Sequence, residues 1–171
     1  MTENKKRWLR FGLQMAAIAL LICIDMFLKK LAETHLKGNG TVVLIKGFLG
    51  LTYTENTGAA FSMLSSSTVL LSVVTGVALL AGVFALALIR KKKPLIYDIC
   101  VPLIIAGGAG NQLDRLTRGY VIDYIQTLFM DFPIFNFADI LITCACFTVI
   151  IYLIYDIVKD RKKPKEETPN D

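Results

Sequence analysis

The sequence predicts an α-helical integral membrane protein, with four transmembrane helices and a small extracytoplasmic β-rich cap. Two observations carry this expectation. Of 171 residues, 54% are hydrophobic and the mean hydropathy is +0.56, more apolar than a soluble domain of this size requires. The basic residues also gather in clusters that flank the apolar runs on alternate connections, as cytoplasmic segments of membrane proteins do.

Roughly 20 apolar residues cross a hydrocarbon core about 30 Å thick, and four stretches approach that length. They place helices over about 11–30, 66–89, 95–117 and 138–158 in a single membrane domain covering residues 1–171. Val69 to Ile89 carries no charge, whereas the third stretch is interrupted by Asp98 and Pro102 and is offered a stop at Gly119. Lys5, Lys6, Arg7 and Arg10 precede the first helix, Arg90 to Lys93 separate the second from the third, and Lys159, Arg161, Lys162, Lys163 and Lys165 follow the fourth. Four spans put all three clusters on one side, so both termini are expected in the cytoplasm, with extracytoplasmic loops at about 31–64 and 118–137. The net charge of +5 is then explained by topology and anionic lipid, which argues against nucleic acid as a partner.

The basic N-terminus followed by an apolar run resembles a cleavable signal, but no small-residue cleavage site follows, and a signal anchor is the reading. The run LLIC ending at Cys23 has bulky Ile22 where a lipid-attachment box needs a small residue. Cys23, Cys100, Cys144 and Cys146 all fall in apolar helices, where cysteine behaves as a small hydrophobe, so neither a disulfide framework nor a metal site is expected. Between the first two spans, Asn39-Gly40 signals a turn and the β-branched and aromatic residues from Thr41 to Thr54 suggest short strands. The charged tail, residues 164–171, is expected to be flexible.

Polar residues beside the spans are few and cluster near one membrane face. Asp25 and Lys29 lie four apart and can pair on one helix face; a structural salt bridge and a site role are equally open. Asn56, in ENTGAAFS, suits a turn or a helix cap. In GGAGNQLDR the glycines fit close helix packing better than a phosphate loop, because no strand precedes them. Asn111 and Asp114 follow on one face, and Arg115 can brace a carboxylate or pair with Asp114. VIDYI alternates as a short extended segment that delivers Asp123 among apolar neighbours. Asn136 and Asp139 suit capping of the fourth helix, which accounts for Asp139 but leaves Asp123 unexplained. A carboxylate near a bilayer is costly enough to need a reason, and two that share one proton can activate a water.

IDMFLKK, ENTGAAFS, GGAGNQLDR, VIDYI and FPIFNFADILI, in this order against four spans, resemble the lipoprotein signal peptidases, signal peptidase II. The resemblance covers about Lys6 to Lys159. It implies a cofactor-free, metal-free aspartic endopeptidase of the bacterial cytoplasmic membrane, with its site near the outer face and both lipid-modified prolipoproteins and membrane lipids as partners. It implies cleavage just before a cysteine carrying diacylglycerol, by a monomer. The catalytic pair matches Asp123 and Asp139; Asp25, Lys29, Asn56, Asn111, Asp114, Arg115 and Asn136 match positions that shape the site or hold substrate. Tyr124 departs from the commoner pattern, which has Phe there.

Chemistry supports the pair independently. Two close carboxylates in a poorly solvated place share a proton, so one takes a proton from water while the other hydrogen-bonds the scissile carbonyl. The sequence alone does not assign the shared proton; a helix N-terminus would favour charge on Asp139 and leave Asp123 as the acid. A serine mechanism has only His35 as base and nothing that activates Ser62 or Ser65 to Ser67, and zinc chemistry lacks ligands. A proton-coupled transporter needs acids at several depths, and Asp98 and Asp156 lie near the cytoplasmic ends.

Overall fold

The computed structural model describes residues 1–58, 68–88 and 94–161. The basic connection Arg90 to Lys93, the serines Ser62 and Ser65 to Ser67, the latter part of ENTGAAFS and the charged tail lie outside the described residues. Four helices and a three-stranded antiparallel sheet make up the described protein, in the order α1 (Glu3–Leu36), β1 (Val42–Ile45), β2 (Leu49–Asn56), α2 (Thr68–Leu88), α3 (Leu95–Arg118), β3 (Val121–Thr127) and α4 (Phe137–Arg161).

The first helix is longer than the span expected from hydropathy. Thr2 caps it by accepting from the backbone N–H of Lys5, and Glu3 pairs with Lys6 one turn on, so its basic start is helical as well. At the other end Ala32 and Leu36 stay helical because they are buried against Ile122 and Tyr124 of the sheet. Among the described residues two helices, Glu3–Leu36 and Phe137–Lys159, are long and apolar enough to cross a membrane, and little of either apolar window is covered by protein. In α2 the apolar stretch Ser72–Phe84 is shorter. The third helix is the hub of the bundle, packed against each of the other three helices. It is ended by Gly119, whose left-handed φ of 81° lets its N–H reach the carbonyl of Arg115.

Close packing in the hub depends on glycine. A Cβ at Gly107 would meet the backbone carbonyl of Ala138 in α4, and one at Gly110 would meet the carboxylate of Asp25 in α1. These residues let three helices converge on one point. The sheet order is β1-β2-β3, with Thr54 opposite Asp123 and Asn56 opposite Val121. The strands expected between Thr41 and Thr54 are thus β1 and β2, and the extended VIDYI is β3, which completes the sheet. Arg10 near the start of α1 binds Asp98 near the start of α3 at 3.0 Å. The two helices therefore run parallel, and the sheet caps their far ends.

Candidate active site

Asp123 and Asp139 arrive from different elements and are tied together by asparagines. Asp123 is buried in β3, and each of its oxygens accepts one amide N–H: Oδ1 from Asn136 Nδ2 at 2.6 Å and Oδ2 from Asn56 Nδ2 at 2.9 Å. Asp139 sits in the first turn of α4 with Oδ1 accepting from Asn111 Nδ2 at 2.7 Å and Oδ2 from the backbone N–H of Asn136 at 3.0 Å. Asn136 returns the favour, its Oδ1 accepting from the N–H of Asp139 at 3.0 Å. That reciprocal pair is a capping box, so the expected capping role and the junction with Asp123 are filled by the same asparagine.

The directions of these amides are fixed by groups that have no choice. An ammonium only donates, and Lys29 donates to Asn111 Oδ1 at 2.8 Å, which turns the Nδ2 of Asn111 toward Asp139. A backbone N–H likewise only donates, so the Oδ1 of Asn136 faces Asp139 N and its Nδ2 faces Asp123. Asn56 bridges in the same way: its Oδ1 accepts from the N–H of Gly58 at 2.9 Å in a turn, leaving Nδ2 for Asp123.

Beneath this layer lies a closed ion cluster. Asp25, Lys29 and Asp114 are 0% exposed. Lys29 Nζ is 2.8 Å from Asp25 Oδ2 and 3.1 Å from Asp114 Oδ2. Asp25 Oδ1 accepts from Ala138 N–H at 3.1 Å, which adds an anion at the start of α4, and Asp114 Oδ2 accepts from Ile122 N–H at 3.1 Å next to Asp123. Arg118, one turn beyond Asp114, closes the cluster at 3.2 Å and pairs outward with Glu33 at 3.0 Å. The Asp25–Lys29 pairing is as expected. The Arg115–Asp114 alternative is not what forms: Asp114 points down to Lys29 and Arg118, whereas Arg115 NH2 donates to the Gly58 carbonyl at 3.4 Å and lines the cavity. Arg118 and Glu33 escaped the sequence analysis, although the four-residue spacing from Asp114 to Arg118 is a pairing signal.

The dyad opens on a cavity of about 630 Å³. Its polar wall holds Asn56, Asn111 and Arg115, and its apolar wall holds Phe132, Ile134 and Ile140. Burial, moderated by the amides and reinforced by the negative charge of Asp139, pushes the Asp123 carboxyl up to about 6. The four cysteines are free thiols, Cys144 lining the cavity's wall. No cluster of three His, Cys, Asp or Glu side chains that could hold a metal occurs among the described residues. What the arrangement offers is a pair of carboxyls, that of Asp123 raised in proton affinity by burial, beside an apolar slot.

Comparison with known proteins points the same way. A family model described as signal peptidase (SPase) II matches residues 17–155. The lipoprotein signal peptidase of Clostridium tetani is 38% identical over 154 residues, 88% of this chain and 98% of that protein. That of Chlorobium phaeobacteroides is 42% identical over 146 residues, 78% of this chain and 91% of its own, and that of Enterococcus faecalis is 38% identical over 138 residues, 81% and 85%. A bacterial membrane enzyme solved by the in meso method at 2.3 Å resolution superposes with a TM-score of 0.79 at 31% identity, covering 92% of this chain and 95% of that one. With the family model spanning most of its length and relatives this similar along nearly all of theirs, the chain belongs to the signal peptidase II family.

Proposed function

We propose that this protein removes signal peptides from prolipoproteins by an aspartic mechanism in which Asp139 is the base and Asp123 the acid. Family membership supports the reaction. The observation that carries the mechanism is the asparagine bridge, which gives every oxygen of the two carboxyls one N–H donor while leaving both on one cavity. Asp139 lies at a helix N-terminus, where the macrodipole favours its anion, and the raised affinity of Asp123 suits it to hold the proton. Water attacks the scissile carbonyl carbon as Asp139 takes its proton, and the Asp123 proton goes to the carbonyl oxygen. Collapse of the tetrahedral intermediate breaks the C–N bond, with the proton from Asp139 passing to the leaving amine and one hydroxyl proton of the intermediate returning to Asp123. Lys29, Asp25 and Asp114 hold this geometry from below, and Arg115, on the cavity wall, serves the substrate backbone.

The proposed setting is the bacterial cytoplasmic membrane, crossed four times by a monomer with both termini inside. The supporting observation is the parallel arrangement of α1 and α3, which gathers Lys5, Lys6, Arg7 and Arg10 at the end opposite the dyad. The dyad then meets the outer leaflet, where the acyl chains of a diacylglyceryl-modified cysteine lie against the apolar wall and cleavage falls just before that cysteine. The test is cleavage by purified protein of one prolipoprotein with and without its diacylglycerol. Cleavage of the lipidated form alone is expected; equal cleavage of both overturns the assigned specificity, and cleavage of neither overturns the function.

A further inference from the structure

The sheet carries an apolar tip that the reaction does not use. All four residues of β1 are exposed, and with side chains alternating across a strand this leaves both faces of the edge strand bare. Val43, Leu44 and Ile45 are each 53–55% exposed. The following turn sets Phe48 against Phe129 in a stacked pair with centroids 5.0 Å apart, and Phe129 and Met130 are about half exposed themselves. Lys46 stands exposed at the turn. An edge strand this apolar would recruit other chains in water, so something covers it.

We propose that this tip, Val43 to Phe48 together with Phe129 and Met130, dips into the outer leaflet of the membrane and sets the height of the sheet. The inference rests on the outward-facing topology proposed above. A protein partner would cover one face of β1 and leave the other; a fluid of acyl chains covers both. The sheet that carries the patch is seated through β2 and β3 on Leu28, Ala32 and Leu36 of α1, a helix whose Phe27 and Leu31 are exposed beside that seat. Depth is limited by the free hydrogen-bonding edge of β1, which needs water or headgroups and so stays at the interface. Lys46 suits anionic headgroups at that level. Because β2 and β3 deliver Asn56 and Asp123, anchoring the tip fixes the dyad's distance from the substrate's acyl chains.

The test uses tryptophan as a depth probe in the full chain, whose single native tryptophan is Trp8. In a Trp8→Phe background, Ile45→Trp, Asn39→Trp and Val77→Trp are reconstituted singly in lipid carrying bromine at positions 6,7 or 11,12 of one chain. Ile45→Trp should lose more than half its fluorescence in the 6,7-bromo lipid and less in the 11,12-bromo lipid. Asn39→Trp, in the polar turn, should be nearly unquenched, and Val77→Trp, on the exposed face of α2, strongly quenched in both. Quenching of Ile45→Trp no greater than that of Asn39→Trp overturns insertion, whatever else covers the tip. Labelling of Asn39→Cys by an impermeant maleimide on spheroplasts, read above the wild-type background, reports the side separately. Labelling only after lysis overturns the topology and with it the outer leaflet, even where quenching persists.

Discussion

Replacing Lys29 by methionine should cost more stability than any surface change in this protein. The ammonium sits 2.8 Å from Asp25 and 3.1 Å from Asp114, with all three side chains fully buried. Asp25, Lys29, Asp114 and Arg118 sum to zero charge; without Lys29, two fully buried carboxylates face one part-buried guanidinium that Glu33 also engages. Breaking a buried pair from one side costs about 3–5 kcal/mol, and at about 2–4 °C per kcal/mol for a chain of this size the melting temperature should fall by roughly 6–20 °C. Methionine keeps the stem's volume, so the loss is charge and not a cavity. The assay is scanning calorimetry of the purified protein in one detergent. The pair variant Asp25→Asn/Lys29→Met should recover part of the loss, because neutralising both sides removes the orphaned charge. The Lys29→Met protein should also turn over at least about 100-fold more slowly at a temperature where it is folded, since Asn111 loses the shorter of the two donor contacts, from Lys29 and Asn136, that aim its amide at Asp139. A melting temperature within about 2 °C of wild type would refute the reasoning.

Four further predictions concern single positions. Asn56→Ala removes an N–H from Asp123 Oδ2, and since that donor favours the anion, the alkaline limb of kcat/KM should move up by about one pH unit; a pH profile of cleavage checks it. In the wild type the same limb should begin at about 6 in the free enzyme, activity falling as pH rises and Asp123 loses its proton. Tyr124→Phe should change stability by no more than about 1 kcal/mol in either direction, because the buried hydroxyl it deletes meets only the backbone of Phe137 among the described residues; thermal melting and unchanged turnover check it. Gly107→Ala should be among the worst tolerated small changes, for its methyl meets the rigid carbonyl of Ala138 and forces α3 and α4 apart. Loss of folded yield in detergent is the measurement.

The helices were legible because apolar length and charge clusters are local signals, and the stop at Gly119 was legible because left-handed backbone favours glycine. The first helix outran its expected end because Ala32 and Leu36 answer to Ile122 and Tyr124, some 90 residues away, and no local pattern records that contact. The same holds for the sheet: β1 and β2 could be read from β-branched residues, but their pairing with VIDYI is a tertiary fact. At the site, each residue singled out from the sequence falls in or beside one cluster, yet the roles divide in ways spacing does not reveal. Asp114 and Arg115 are neighbours whose side chains go to opposite layers, one to the buried ions and one to the cavity. Asn136 satisfies a helix cap and a carboxylate at once, so capping and site were never alternatives.

In the proposed mechanism Asp123 and Asp139 together perform the cleavage, and single-turnover cleavage of a diacylglyceryl-modified prolipoprotein is the measurement that bears on it. Asp123→Asn and Asp139→Asn keep the shape of each side chain and remove only its ionisation. With folding verified by thermal melting and substrate binding retained, the account predicts a loss of at least about 10⁴-fold in either variant, and no larger loss in the double variant. Cleavage within tenfold of wild type by either one would contradict it.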